Sequence, residues 1–514
     1  MFNSCQPFVA FIIKTIMDRY AEPITVVFIA LYRYQNFPVR IMHSILENME
    51  GIRPHTIFFQ NYYTNAVKNP TAKEQNVFKE LIIKLNPKLV GLSVYSPNVS
   101  TAKQLTKIIK NNSSALVLWG GIHPTLYPET SLEAADIICM GEGEGALTDL
   151  VTSIRDGKAY HRIQNLWINK NGNIIRNPMR ALIQDLDSIP FPAYARDSFY
   201  FIGSNTWIEN DPTLLEPILH IMPARGCPFR CSYCVNSVLQ PMYKDLGRFS
   251  RRRSVANVIA EMKDILAIPG NKKELVEFQD ENFGTQESWL SEFESLYPKE
   301  IGLPFKVQYN PTLIKSSTIS RLKKCGLHRL KFGIEAGTDR IRNQVFSRPG
   351  KNSQMIKLAH EIAKHKVKIR YDLIMDIPWD TEASLKESID FLLQLPKPLN
   401  FNIYSLQYFP GYPLTQKALE DGHINQEDVS LDSLQERMAS SWGFVPKLFP
   451  LTKKQILQNI IWLIAYGHTS DEIVKHAVFN DSFGSKLKLI YLNFKSIFWG
   501  KMREVKRLIN KKIA

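Results

Sequence analysis

Cysteine, long apolar runs and acidic residues are all scarce in this sequence. Only six cysteines occur among 514 residues, too few for the disulfide framework of small secreted domains. No apolar run reaches the ~18 residues needed to cross a bilayer. The stretch PFVAFIIKTIM (residues 7–17) is apolar but short, is interrupted by Lys14 and lacks a small-residue cleavage site, so no secretory signal is expected. Acidic residues number 49 against 64 Lys and Arg, leaving a net charge of +15 and a pI of about 9.3. That balance favours an acidic partner or an anionic surface. No repeat of solenoid period is visible. What is present, 44% hydrophobic, 22% charged and 11% aromatic residues, is globular and excludes a disordered, collagen-like or low-complexity chain. At ~150 residues per domain the length suggests about three domains, and the chain reads as cytoplasmic.

Residues 20–155 alternate buried-strand runs with amphipathic helical stretches. The runs are ITVVFIAL (24–31), HTIFFQ (55–60), LVGLSVY (89–95), LVLWGG (116–121) and DIICMGEGE (136–144), with helical spacing in 71–85 and 100–111 between them. Such alternation predicts a doubly wound α/β domain around a parallel sheet. Residues 156–215 lose the rhythm and read as a linker with a hairpin turning at Asn171-Gly172. From residue 216 to 420 a second series of strand-like runs alternates with helices; six βα units are too few to close an eight-stranded barrel, so a partial (β/α)6 TIM barrel is expected. Residues 421–514 read as helical.

The most informative residues stand in PARGCPFRCSYCVNS, where Cys227-x3-Cys231-x2-Cys234 gathers three thiols in a loop leaving the first barrel strand. A structural zinc site wants four ligands, and no second CxxC or His pair follows to complete one. A four-iron cluster held by only three cysteines keeps one iron open for a substrate. Glu335 ends the strand-like KFGIEAG, where barrel sites form; a strand-end carboxylate satisfied by an arginine is the alternative. Asp280 and Glu281 stand similarly after the second barrel strand. Arg370, Tyr371, Asp372 and Asp376 mark the fifth strand, with alternation aiming Arg370, Asp372 and Asp376 to one side; a structural ion pair is the alternative there. In the first domain Gly120-Gly121 at a strand end allows close backbone approach to a bulky ligand, and Ser93 and Tyr95 end the preceding strand. Cys5, Cys139 and Cys325 read as inert small residues.

The cysteine loop, with Arg225-Gly226 before it and Tyr233 before its last cysteine, resembles the radical SAM superfamily, and the likeness runs through FQDENFG, KCGLHRLKFGIEAG and YFPGYPL in order. Upstream, VLWGGIHPTLYPE, ADIICMGEGEGAL and the linker resemble cobalamin-binding domains fused ahead of such barrels. The chain is thus identified as similar to cobalamin-binding-domain-containing radical SAM enzymes, the class B methyltransferase type. The resemblance implies an N-terminal Rossmann-like cobalamin domain, a [4Fe-4S] cluster on Cys227, Cys231 and Cys234, and S-adenosylmethionine (SAM) contacted by Glu335, Asp280 and Arg370. It implies cobalamin contacted by Ser93, Tyr95, Gly120 and Gly121. Two departures stand out. The barrel's fifth strand runs into DIPWDT instead of a Gly-x-Pro-Gly-Glu-Thr pattern. The loop LYRYQNFPVR (31–40) lacks the Asp-x-His-x-x-Gly of standalone cobalamin domains, so cobalt is expected to have no histidine below it, with Tyr32 to Asn36 as candidate lower-face contacts. His123 follows the wrong strand to serve.

The implied activity is radical methylation of an unactivated carbon in a small-molecule, lipid or peptide substrate, driven by a low-potential donor such as flavodoxin or ferredoxin. Relatives that cyclise, dehydrate or rearrange without methyl transfer form the alternative. An RNA methylthiotransferase would carry cluster cysteines in its first domain, where only Cys5 and Cys139 occur; a cobalamin-binding sensor would have no use for the cysteine loop. Nucleic acid is not an expected partner. Residues 486–514 hold nine Lys or Arg against one Glu, a local charge of +8. Leu489, Leu492, Ile497, Trp499, Met502, Val505 and Ile509 lie among those charges, and Gly500 is expected to break the helix. The pattern fits either a helix on the inner membrane face or one packed on the barrel.

Overall fold

The computed structural model describes residues 22–32, 35–59, 69–203, 206–430, 433–434, 437, 443–447, 452–480 and 483–513. The apolar stretch 7–17, and Arg33 and Tyr34 of the 31–40 loop, lie outside these. The chain divides into two compact units.

The first unit is built on a nine-stranded sheet. Its strands are β1 (Ile24–Ala30), β2 (Ile52–Phe59), β3 (Leu89–Ser93), β4 (Leu116–Gly120), β5 (Ile137–Cys139), β6 (Leu166–Lys170), β7 (Asn173–Arg176), β8 (Phe199–Gly203) and β9 (Thr206–Glu209), in the order β7-β6-β5-β4-β3-β1-β2-β8-β9. The inner strands are parallel, and β6, β7 and β9 join antiparallel at the edges. Helices α1 (Phe37–Glu47), α2 (Ala72–Leu85), α3 (Val99–Asn112) and α4 (Glu144–Arg155) connect them. Their starts are written locally: Thr71 and Glu74 form a reciprocal capping box for α2, and Asn36 caps α1 through the Val39 amide. The central strands read as apolar runs because both faces are covered, and Val26, Ile29, Phe58 and Leu89 are fully buried.

Residues 156–215 contain more than a hairpin on a linker. The hairpin forms as β6–β7, with Asn171 and Gly172 both at positive φ (53° and 88°), as a type I′ turn demands. It extends one sheet edge, and β8–β9 extends the other. Asp211 is tied into the same unit: its carboxylate receives both Nη1 and Nη2 of Arg40 at 2.8 Å, and both side chains are wholly buried. The guanidinium lies against the rings of Phe58, Tyr194 and Phe199. Burial alone would push the Asp211 carboxyl up; Arg40 outweighs it and, with Thr213 and the Ala195 amide, holds it down to about 2.

The second unit carries a six-stranded parallel sheet, β10 (Ile218–Ile221), β13 (Leu275–Phe278), β14 (Phe305–Tyr309), β15 (Leu327–Glu335), β16 (Lys368–Met375) and β17 (Phe401–Ser405), in chain order. The short pair β11 (Ala224–Arg225) and β12 (Arg251–Arg252) is separate. A helix lies between successive strands, so this is the half-barrel the sequence predicts. Phe278, Phe283, Phe293, Tyr297 and Phe305 pack edge-on and stacked behind its first strands. The C-terminal region is helical: α5 (Lys453–Ala465), α6 (Asp471–Phe479) and α7 (Phe483–Ile513), with α7 packed on both. Gly500 does not break α7, contrary to expectation. One helical glycine costs only ~1 kcal/mol, and a Cβ there would stand 3.1 Å from Pro446 Cδ, so the small residue serves packing. Among the described residues no helix is long and apolar enough to cross a membrane.

Candidate active site

The cysteine loop follows β11 at the end of the barrel's first strand. Gly226, at φ +80°, is required where it passes Phe249, whose carbonyl a Cβ would strike. Gln240 Nε2 donates to the carbonyls of Cys227 (2.5 Å) and Phe229 (3.1 Å), and the Cys234 amide donates to Cys231 O (2.9 Å). Ser232 ties the loop to the carbonyls of Val345 and Phe346. These bonds shape the loop through its backbone and leave the three thiols, Cys231 buried and Cys227 and Cys234 half-buried, out of its hydrogen-bonded frame. Asn282 Nδ2 lies 3.4 Å from Cys227 Sγ, and Arg348 Nη1 lies 3.8 Å from Cys231 Sγ. Burial pushes the Cys234 thiol up to about 12 and the Cys227 thiol up as well, and the charges of neighbouring thiolates and Glu281 add to both shifts. Such thiols ionise when a cation takes the proton's place. Among the described residues no group of three His, Cys, Asp or Glu side chains closes on a single ion.

Glu335 ends β15 in the left-handed region, at φ +64°, past a break in register with β16. Its carboxylate folds back over Gly333, where a Cβ would collide with it, and comes within 3.7 Å of Arg348 Nη2. Arg348 also donates to Gly333 O (3.1 Å), while its buried Nε has no hydrogen-bond partner. Burial pushes the Glu335 carboxyl up to about 7, against the opposing pull of Arg348. The turn is locked from behind by buried Arg342, whose Nε and Nη2 donate to the carbonyls of Ile334 (3.1 Å) and Ala336 (2.5 Å). A strained backbone so over-determined is characteristic of ligand sites.

Other predicted residues divide between site and scaffold. Asp280 is buried in an ion pair with Arg252 (2.8 Å), leaving Oδ1 without a hydrogen-bond partner. Arg370, early on β16, donates to Asn402 Oδ1 (2.6 Å); Asn402 Nδ2 donates to Asp372, which also pairs with Lys331 at 2.7 Å. Asp376 follows β16 at φ +59° and accepts from Ser405 Oγ (2.8 Å) and Lys447 Nζ (2.6 Å). Tyr371 points the other way, between Phe332 and Phe401. Sequence reading missed Asn282 and Arg348. Asn282 adjoins the singled-out Asp280 and Glu281; Arg348, 117 positions from Cys231, carries no local signal.

In the first unit Ser93 and Gly120 are register partners at the ends of β3 and β4. Gly121, at φ +104°, is required because a Cβ would stand 2.9 Å from Val94 O, whereas over Gly120 nothing lies closer than Cys139 Cβ at 4.0 Å. Gly141, at φ +70°, opens the next strand end. The result is a cradle of bare backbone at the carboxyl ends of parallel strands. The Tyr95 amide is bound by Asn98 Oδ1 (2.9 Å). His123 is buried with Nδ1 3.1 Å from Ser96 Oγ, and burial lowers it to about 4. Tyr32 is buried with its hydroxyl 2.8 Å from Thr101 Oγ1. The unit also holds two further neutral histidines, His43 and His55, lowered by burial to about 3 and 4.

A half-barrel with a three-cysteine loop, and a parallel sheet ending in glycines ahead of it, define a class. Residues 221–392 match the radical SAM superfamily and residues 61–151 the B12 binding domain. The chain thus carries a B12-binding domain before a radical SAM domain, and a [4Fe-4S] cluster, SAM and cobalamin are the cofactors of this two-domain arrangement. It is similar to an uncharacterized methyltransferase of Pyrococcus horikoshii, 28% identical over 327 residues, 62% of this chain and 66% of the relative. It is also similar to an anaerobic magnesium-protoporphyrin IX monomethyl ester cyclase of Rubrivivax gelatinosus, 26% identical over 53% of this chain and 48% of the relative. The chain spans about half to two thirds of the length of most of the curated relatives it matches. Its fold is that of a cobalamin-dependent S-adenosylmethionine radical enzyme solved with aqua-cobalamin and SAM, at TM-score 0.65 and 17% identity over 96% of this chain and 82% of that one.

Proposed function

We propose that this enzyme is a cobalamin-dependent radical SAM methyltransferase acting on an unactivated carbon of a small-molecule, lipid or peptide substrate. The observation that carries the reading is the pairing of the Cys227–Cys231–Cys234 loop with a glycine cradle on a separate parallel sheet. When bound, the cluster and SAM supply a 5′-deoxyadenosyl radical, and cobalamin supplies the methyl group. Cys227, Cys231 and Cys234 hold the cluster, with Asn282 and Arg348 offering N–H donors to two of the sulfurs. Glu335 accepts hydrogen bonds from SAM, positioned by Arg342 and by its own fold over Gly333. Asp280 contributes by orienting Arg252, and Arg370 through Asn402 and Asp372. Gly120 and Gly121 admit the corrin against bare backbone, with Ser93 and Tyr95 beside its nucleotide tail.

Flavodoxin or ferredoxin supplies the electron. The enzyme works in the cytoplasm, with a peripheral contact at the inner membrane face through α7. The methyltransferase similarity supports the leading reading, while the cyclase similarity favours a second, radical chemistry without methyl transfer. Product analysis decides: S-adenosylhomocysteine formed together with 5′-deoxyadenosine supports methylation, and 5′-deoxyadenosine alone supports the second reading. Neither product, in protein loaded with iron and cobalamin and given a reductant, overturns both.

A further inference from the structure

We propose that the outward face of α7 is a docking surface for an anionic phospholipid leaflet. The helix is inverted relative to the usual hydrophobic pattern. Its packed side consists of Ser485, Leu492, Asn493, Ser496 and Gly500, all buried. The opposite side presents Leu487, Ile490, Tyr491, Phe494, Phe498 and Met502, each 46–58% exposed. At 3.6 residues per turn these six fall within an arc of about 120°, forming one continuous stripe. Six large apolar side chains in one solvent-facing row are far more than the scattered exposure normal for a soluble surface.

Charge selects the occupant. Residues 483–503 contain no Asp or Glu, and Lys488, Lys495 and Lys501 border or interrupt the stripe. Over 486–514 the balance is nine Lys or Arg to one Glu. A second copy of this face would oppose cation to cation, and an apolar protein groove would leave the lysines unanswered. A lipid interface answers both features, taking Phe, Leu and Met among the acyl chains while lysines reach the headgroup phosphates. Tyr491 and the partly exposed Trp499 suit the headgroup level.

This face gives the membrane contact of the proposed function its residues, and it stands apart from the radical chemistry because its readout needs no turnover. The full-length protein is sedimented with phosphatidylcholine–phosphatidylglycerol vesicles and with phosphatidylcholine alone. Binding to the anionic vesicles, weakened by salt, is expected, with little to the neutral ones. Phe494→Ser with Phe498→Ser should lower partitioning about tenfold or more, and Lys488→Glu, Lys495→Glu and Lys501→Glu together should do the same. Circular dichroism and cobalamin content should be unchanged, since the substituted positions face solvent. Equal binding to both vesicle types, or wild-type binding by the variants, overturns the proposal. So does a dimer in solution that Phe494→Ser dissolves, which would mean a second copy covers the face.

Discussion

Where β3 and β4 end, the chain offers Ser93, Gly120 and Gly121; where β15 and β16 end, it offers Glu335, Asp376 and the reach of Arg348. The first sheet presents peptide groups and empty space, the second presents charge held by counter-charge. A large, amide-fringed ligand needs room and backbone contacts, whereas a cluster and a charged cosubstrate need tuned electrostatics. The same parallel topology is thus specialised by what stands at its strand ends. Two ion pairs, one from each unit, also differ in depth: Arg40–Asp211 is wholly buried, whereas Lys331 of the Lys331–Asp372 pair keeps 34% exposure.

That contrast sets the largest expected effect. Asp211→Ala strands the Arg40 guanidinium in the core and should cost about 3–5 kcal/mol, whereas Asp372→Asn should cost about 1 kcal/mol or less because Lys331 reaches solvent. Urea denaturation of both variants checks the pair, and equal losses would erase the distinction.

Next come the glycines. Gly121→Val forces a side chain into a glycine-only conformation and against Val94 O, costing about 1–3 kcal/mol in stability as well as cobalamin binding. Gly120→Val meets open space, so it should keep the melting temperature and lose only cobalamin affinity. Thermal melts set beside cobalamin titrations separate strain from steric filling.

Acid should act in opposite senses on the buried histidines of the first unit and on two buried carboxyls of the second. His43, His55 and His123 titrate below the unfolded value of about 6.5 because burial disfavours their charged forms. Their protonation favours unfolding, so the first unit should lose stability as pH falls below about 6.5. In the second unit burial raises Asp380 to about 6 and Glu335 to about 7. Those carboxyls are more easily protonated folded than unfolded, so acidification from about 7 toward 4 relieves them. Amide hydrogen exchange at pH 7.5 and 5.5, corrected for the intrinsic rate, should show protection falling around His43, His55 and His123 and holding or rising around Glu335 and Asp380.

The smallest effect concerns Tyr371, whose buried hydroxyl has no hydrogen-bond partner. Tyr371→Phe should be neutral or stabilising by up to ~1 kcal/mol, as calorimetry would show.

The strands were legible because buried parallel strands are apolar runs, and the cysteine loop because its three thiols are local in sequence. The Asn171-Gly172 turn announced its hairpin. What lay hidden was non-local. Strands β8 and β9 sit in a stretch without α/β rhythm and are recruited by the edge of β2. Arg348 acquires its role only when folding brings it to Cys231, and Lys447 only when it meets Asp376. In α7 the apolar count was plain, yet which face packs was not, because the core side is set by the small residues that let helices approach: Gly500 and Ser496 are buried while Phe498 is exposed.

The separation of two cofactor platforms is tested most directly by measuring iron and cobalamin in one anaerobic preparation of Cys231→Ala. Loss of the cluster's iron and of 5′-deoxyadenosine formation, with cobalamin bound as in the wild type, is the predicted result. Full iron and full activity in that variant would contradict the account at its centre.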